Sequence, residues 1–115
     1  MKYFKESEVT CKCNKCNMTI TDDLKILLDK LREGINMPLT INSGARCPTH
    51  NKNVGASPTS SHTKGVAVDI RAINDLTKAK IIHYATRLGI VRIGIAKTFI
   101  HLDIDKDKNP AIWDY

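Results

Sequence analysis

The chain has 115 residues, 42% hydrophobic, 26% charged and 5% aromatic, a length that suits one modest core and excludes a pair of catalytic domains or a repeat array. Eighteen Lys and Arg against twelve Asp and Glu leave a net charge of +6, which favours polyanionic surroundings such as nucleic acid, anionic lipid or a wall polymer without choosing among them. No apolar run approaches the ~20 residues of a membrane span, and Met1–Glu6 has no apolar stretch of the secretory kind, so neither a span nor a signal peptide is expected.

A single domain over residues 1–115 is expected, opening on a cysteine-bearing arm of about residues 1–18. The first amphipathic helix starts at Thr21, an N-cap followed by Asp22 and Asp23 in the dipole-favoured first turn. Leu24, Leu27, Leu28 and Leu31 form its buried stripe, and Gly34 and Pro38 are expected to end it. Leu39–Ser43 reads as a short strand closed by Gly44. Pro48 to Lys64 is rich in Asn, Ser, Thr, Gly and Pro and reads mostly as loop, long enough to suggest a functional role.

Val66–Ile70 alternates as a strand, with Val66, Val68 and Ile70 on one face and Ala67 and Asp69 on the other. Asn74 caps a second helix running to about Leu88, with Ile81, Ile82, Ala85 and Leu88 inward and Gly89 as its stop. Strands follow near Val91–Ile95 and Phe99–Ile104. In the latter Ile100, Leu102 and Ile104 share one face, while His101 and Asp103 share the other. The order of elements predicts an α+β fold, a small, mainly antiparallel sheet with helices on one side.

Cys11, Cys13 and Cys16 lie within six residues and Cys47 stands apart. The four thiols could complete a structural zinc site, form disulfides or stay free; the C-x-C-x2-C spacing does not choose. Any link to Cys47 would pin the N-terminal arm near that loop.

The polar residues on the non-core strand faces carry the chemistry. His62, Asp69 and His101 supply two imidazoles and one carboxylate, which suffices for a catalytic zinc with its fourth position open. Such an ion lowers the pKa of water and polarises a scissile carbonyl. Taken singly, the same residues read equally well as a loop histidine, a strand-edge aspartate and a strand-face histidine. His50 and His83 read as surface residues. Trp113, Tyr115 and Phe99 could edge a groove, and Trp113 could instead fill the core.

Four segments in order resemble the zinc D-Ala-D-Ala carboxypeptidase (M15) family, which includes phage cell-wall endopeptidases and shares its zinc site with the lysostaphin and hedgehog groups. They are Ser43-Gly44-Ala45-Arg46-Cys47-Pro48, Asn51–Ala56, Ser61-His62-Thr63-Lys64-Gly65-Val66-Ala67-Val68-Asp69-Ile70 and Phe99-Ile100-His101-Leu102-Asp103. Phe4, Glu8, Cys11, Cys13 and Trp113 extend the resemblance over roughly residues 4–113. It implies that His62, Asp69 and His101 ligate zinc and that Arg46 binds substrate or polarises its carbonyl. Arg46 could otherwise brace its loop, and Ser61 could touch substrate or cap a turn.

The family's general base precedes the last zinc histidine by two or three residues, where this chain has Thr98 and Phe99, which cannot take a proton. Asp103 is left either as that base or as a partner orienting an imidazole, or zinc hydroxide suffices with Arg46 as its electrostatic helper. The resemblance implies hydrolysis of peptidoglycan stem peptides or crosslinks by attack of zinc-bound water; a monomer with no nucleic-acid partner is expected. It also implies a phage or prophage-like enzyme made in the cytoplasm and released onto the wall. Two other readings are a non-catalytic zinc-binding wall module and a basic zinc ribbon for nucleic acid. The scattered lysines argue against the ribbon.

Overall fold

The computed structural model describes residues 1–115. Helix α1 (Glu6–Val9) is one turn closed reciprocally, with the Lys5 N–H donating to Glu8 Oε2 at 2.7 Å and the Glu8 N–H donating to the Lys5 carbonyl at 3.0 Å. Its single apolar residue, Val9, is fully buried together with nearby Phe4, so the N-terminal segment is part of the core and more than an arm.

Helix α2 (Asp22–Ile35) begins as expected, with Thr21 Oγ1 accepting from the Leu24 N–H. Leu24, Leu28, Leu31 and Ile35 are buried, and Leu27 is half-buried. The helix runs through Gly34 and ends only at Asn36, which takes the left-handed conformation at φ 56°. Gly34 serves packing: a Cβ there would lie 2.7 Å from Cδ1 of Tyr84. It therefore lets the second long helix come close.

Strand β1 (Ile41–Ser43) is followed by α3 (Pro48–Asn53), a 3-10 turn (Ser61–Lys64) and β2 (Ala67–Arg71). The segment expected to be mostly loop is thus helical at both ends. Pro48 occupies the first turn of α3, and Cys47 caps it, its sulfur accepting from the His50 N–H. Gly65 closes the 3-10 turn at φ 71°, a conformation that suits glycine.

Helix α4 (Asp75–Arg87) starts at Asn74, whose Oδ1 accepts from the Thr77 N–H at 2.8 Å. Ile81 and Ala85 of α4 are fully buried, and His83 on the same helix is exposed. Strands β3 (Arg92–Ile95), β4 (Phe99–Asp103) and β5 (Ala111–Asp114) complete the chain.

The five strands form one sheet in the order β1-β2-β4-β3-β5, antiparallel except for the parallel β3/β5 pair. This is the expected α+β fold with one further strand. One face presents Val68, Ile70, Ile93, Ile100 and Leu102, which join Leu24, Leu28 and Leu31 of α2 and Ile81 and Ala85 of α4 in a single apolar cluster. Each fully buried Leu or Ile contributes about 1.5–3 kcal/mol.

Register orders the other face. Asp69 pairs with His101, His101 with Gly94, and Gly94 with Trp113, a row across four strands. The next row pairs Ala67 with Asp103 and Asp103 with Arg92. A Cβ on Gly94 would sit 2.7 Å from the Trp113 indole, so glycine lets that ring lie close over β3. The indole centroid is 5.3 Å from that of His101.

Candidate active site and metal centre

His62, Asp69 and His101, far apart in the chain, present three ligand atoms within 4.8 Å of one another. Asp69 Oδ1 lies 3.2 Å from Nε2 of His62 and 3.0 Å from Nδ1 of His101. The cross-strand pairing of β2 and β4 brings Asp69 and His101 together, and the 3-10 turn delivers His62, which is 2% exposed.

The far nitrogens are already engaged. His62 Nδ1 is 2.7 Å from the carbonyl of Gly44, an acceptor only, so that nitrogen carries the proton. His101 Nε2 is 2.8 Å from Asp103 Oδ2 and donates there. A neutral imidazole has one N–H, so in this arrangement both facing nitrogens turn lone pairs toward Asp69. Two lone pairs and a carboxylate converge with no proton among them, the donor set that a divalent ion with nitrogen and oxygen ligands requires.

Where no ion holds them, the same groups draw a proton into the space between them. Burial works to raise the Asp69 carboxyl, but hydrogen bonding to the two imidazoles outweighs it and holds the pKa at about 2. Burial opposes the charged form of His101, yet Asp103 and Asp69 together raise its pKa. Asp103 is held below the usual carboxylate range by His101, the Asp105 N–H and Arg92, against the effect of burial.

Asp103 does not share the space between the three donors. Its Oδ2 faces the back of His101, and its Oδ1 accepts from Arg92 Nε at 2.7 Å and from the Asp105 N–H at 3.1 Å. Arg92, absent from the sequence reading, also stacks its guanidinium 5.1 Å from the Trp113 ring centre.

The donors open onto a cleft of about 360 Å3 whose other walls include Arg46, Ser57, Ser60, Phe99 and Tyr115. Arg46 Nη2 donates to Ser60 Oγ at 3.3 Å, while its buried Nε has no partner. The Arg46 N–H donates to the His62 carbonyl at 3.0 Å, tying the arginine to the backbone of His62. Asp69 is the one carboxylate lining the cleft.

Ser61, expected as a candidate substrate contact, faces elsewhere. It is 3% exposed, donates from Oγ to Asp105 Oδ2 at 2.7 Å and accepts from Lys108 Nζ at 3.0 Å. Its neighbour Ser60 takes the place on the cleft wall. The four cysteines also come together, with their sulfurs within 4.8 Å of one another and unbridged.

A family model described as Peptidase M15 matches residues 2–103. The chain belongs to the peptidase M15 family. Peptidases of this family use zinc, and the converging donors of His62, Asp69 and His101 fit that ion. The match runs from the N-terminal segment through β4 and takes in Arg46 and Asp103; β5 with Trp113 lies beyond it. No curated protein matches the chain.

Proposed function

We propose that this M15 peptidase is a zinc-dependent hydrolase of amide bonds in peptidoglycan stem peptides or their crosslinks. The observation that supports it most is the convergence of His62 Nε2, Asp69 Oδ1 and His101 Nδ1 on one point at a cleft that also presents Arg46. His62, Asp69 and His101 would hold the zinc, which when bound would supply polarisation of the scissile carbonyl and a lowered pKa of water.

The chain's own residues do the rest. Arg46 binds the substrate's carboxylate or the oxyanion as it develops, since a guanidinium donates in pairs and part of this one is unpartnered. Asp103 acts as a positioning residue: by accepting from Nε2 it keeps Nδ1 of His101 turned toward Asp69. With both its oxygens engaged by His101, Arg92 and the Asp105 N–H, it is poorly disposed to act as a base. Phe99 and Tyr115 offer the cleft its apolar walls.

One observation favours a second reading, a non-catalytic zinc-binding wall module: beyond Asp69, no carboxylate lines the cleft to accept a proton. Mass spectrometry of sacculus digests separates the two. Zinc-loaded wild type should release peptide fragments whose ends identify the bond. His101→Ala should abolish release with the fold retained by circular dichroism, and Arg46→Ala should lower kcat/KM about 100-fold. Wild-type protein that carries zinc and binds sacculi yet leaves them intact would establish the wall module instead.

A further inference from the structure

Away from the cleft, the molecule holds a second set of ligand atoms that the proposed reaction does not use. Cys11, Cys13 and Cys16 come from the reversal between α1 and α2, closed by the Cys11 N–H donating to the Met18 carbonyl at 2.8 Å. Asn14, at φ 62°, turns the chain between Cys13 and Cys16. Cys47 arrives from the other direction as the cap of α3.

Four sulfurs around an ion at ~2.3 Å stand ~3.8 Å apart in a tetrahedron. Here all four lie within 4.8 Å of one another, with Cys13 and Cys16 at 3.4 Å. The sulfurs share one centre, whereas disulfides would draw them into pairs at ~2.05 Å.

Backbone amides are aimed at the sulfurs as thiolates require. The Lys15 N–H donates to Cys13 Sγ and the Cys47 N–H to Cys11 Sγ, both at 3.3 Å, and the His50 N–H donates to Cys47 Sγ at 3.4 Å. Four thiolates around a divalent ion leave two negative charges. From Thr10 to Ile20 the chain has no acidic residue and carries Lys12 and Lys15. An all-thiolate set selects a soft or borderline ion and rejects magnesium or calcium.

We propose that Cys11, Cys13, Cys16 and Cys47 bind a second, structural zinc ion that clasps the N-terminal segment to the loop carrying Arg46. Binding converts four thiols to thiolates and releases their protons, so its affinity rises with pH. The clasp matters because, apart from the Cys47 N–H to Cys11 Sγ contact, residues 44–47 meet the N-terminal segment mainly at Val9. There the Ala45 N–H donates to the Val9 carbonyl at 3.0 Å and Gly44 packs close on its backbone. Without the ion the turn carrying three cysteines separates from Cys47, and Arg46 loses its fixed position over the cleft.

Native mass spectrometry of the reduced, zinc-reconstituted protein tests this. Two zinc ions per chain are expected, with one retained in the His62→Ala/His101→Ala variant. With cobalt in place of zinc, that variant should keep an intense thiolate-to-metal absorption in the near ultraviolet, and Cys13→Ser/Cys16→Ser should lose it. In the cysteine variant, amide exchange over residues 44–47 should accelerate about tenfold. If the cysteine variant fails to fold, the cobalt spectra of wild type and the histidine variant decide. A single zinc in wild type that vanishes in the histidine variant would overturn the proposal. So would a purified chain about two or four mass units light, the mark of disulfides.

Discussion

Asp103 and Arg92 show how one side chain's aim decides its role. Asp103 lies on the same strand face as His101, two residues on, and that much is legible from the alternation of β4. Whether its carboxylate reaches the front or the back of the imidazole depends on a rotamer and on the cation across the strand pair, which alternation does not encode. Arg92, at 2.7 Å, settles the aim. Asp103→Asn keeps the shape and removes the charge facing His101, so zinc affinity should fall about 10- to 100-fold. Competition with a chromogenic chelator measures the loss, and an unchanged affinity would show that Asp103 does not position the ring.

At the scale of elements, the two long helices and strands β2 and β4 follow from periodicity and caps, and they appear close to the expected bounds. Four short elements, α1, α3, the 3-10 turn and β5, were not legible. Helices α1 and α3 have too few apolar residues for a period, and β5 is stabilised by parallel pairing with β3, a contact made only after the chain has folded back. Register was equally hidden, and register is what sets Asp69 beside His101 and Gly94 beneath Trp113. Gly94→Ala should destabilise the protein by about 1–3 kcal/mol, since its Cβ would meet the indole at 2.7 Å. Denaturant midpoints measure this, and paired replacement of Trp113 by a smaller residue should recover part of it.

The 3-10 turn is held to the end of β4 by Asp105, whose carboxylate receives Ser61 Oγ and Lys64 Nζ. Burial opposes its charge, but these partners and the Asp107 N–H bring its pKa down to about 2. A carboxyl lowered in the folded state contributes stability that is full above its ordinary pKa of ~4 and lost as pH falls toward 2. The metal-free protein should therefore weaken across that interval. Asp105→Asn should be less stable at neutral pH and show a shallower acid limb, as read from denaturant midpoints against pH.

Across the whole molecule, the net charge of +6 has no companion in a basic helix or an aromatic stripe of the kind that reads nucleic acid. Within the proposed function, an anionic wall polymer is its natural counterpart. Retention on sacculi should then fall steeply between ~0.05 and ~0.5 M salt, as screening shortens the reach of exposed charges. Retention unchanged over that range would remove charge as the targeting device.

The pair of hydrogen bonds that joins His62 to the backbone of residues 44–46 has a thermodynamic meaning. His62 gives its Nδ1–H to the Gly44 carbonyl, and two residues on the Arg46 N–H returns to the His62 carbonyl. Within the proposed function, metal ligand and substrate anchor therefore share one short backbone circuit, and ordering one favours ordering the other. Linkage is reciprocal: if zinc tightens the binding of a carboxylate at Arg46 by some factor, the carboxylate must tighten zinc by the same factor. A product analogue should slow zinc loss to a chelator, so the enzyme would hold its metal most firmly while it is at work.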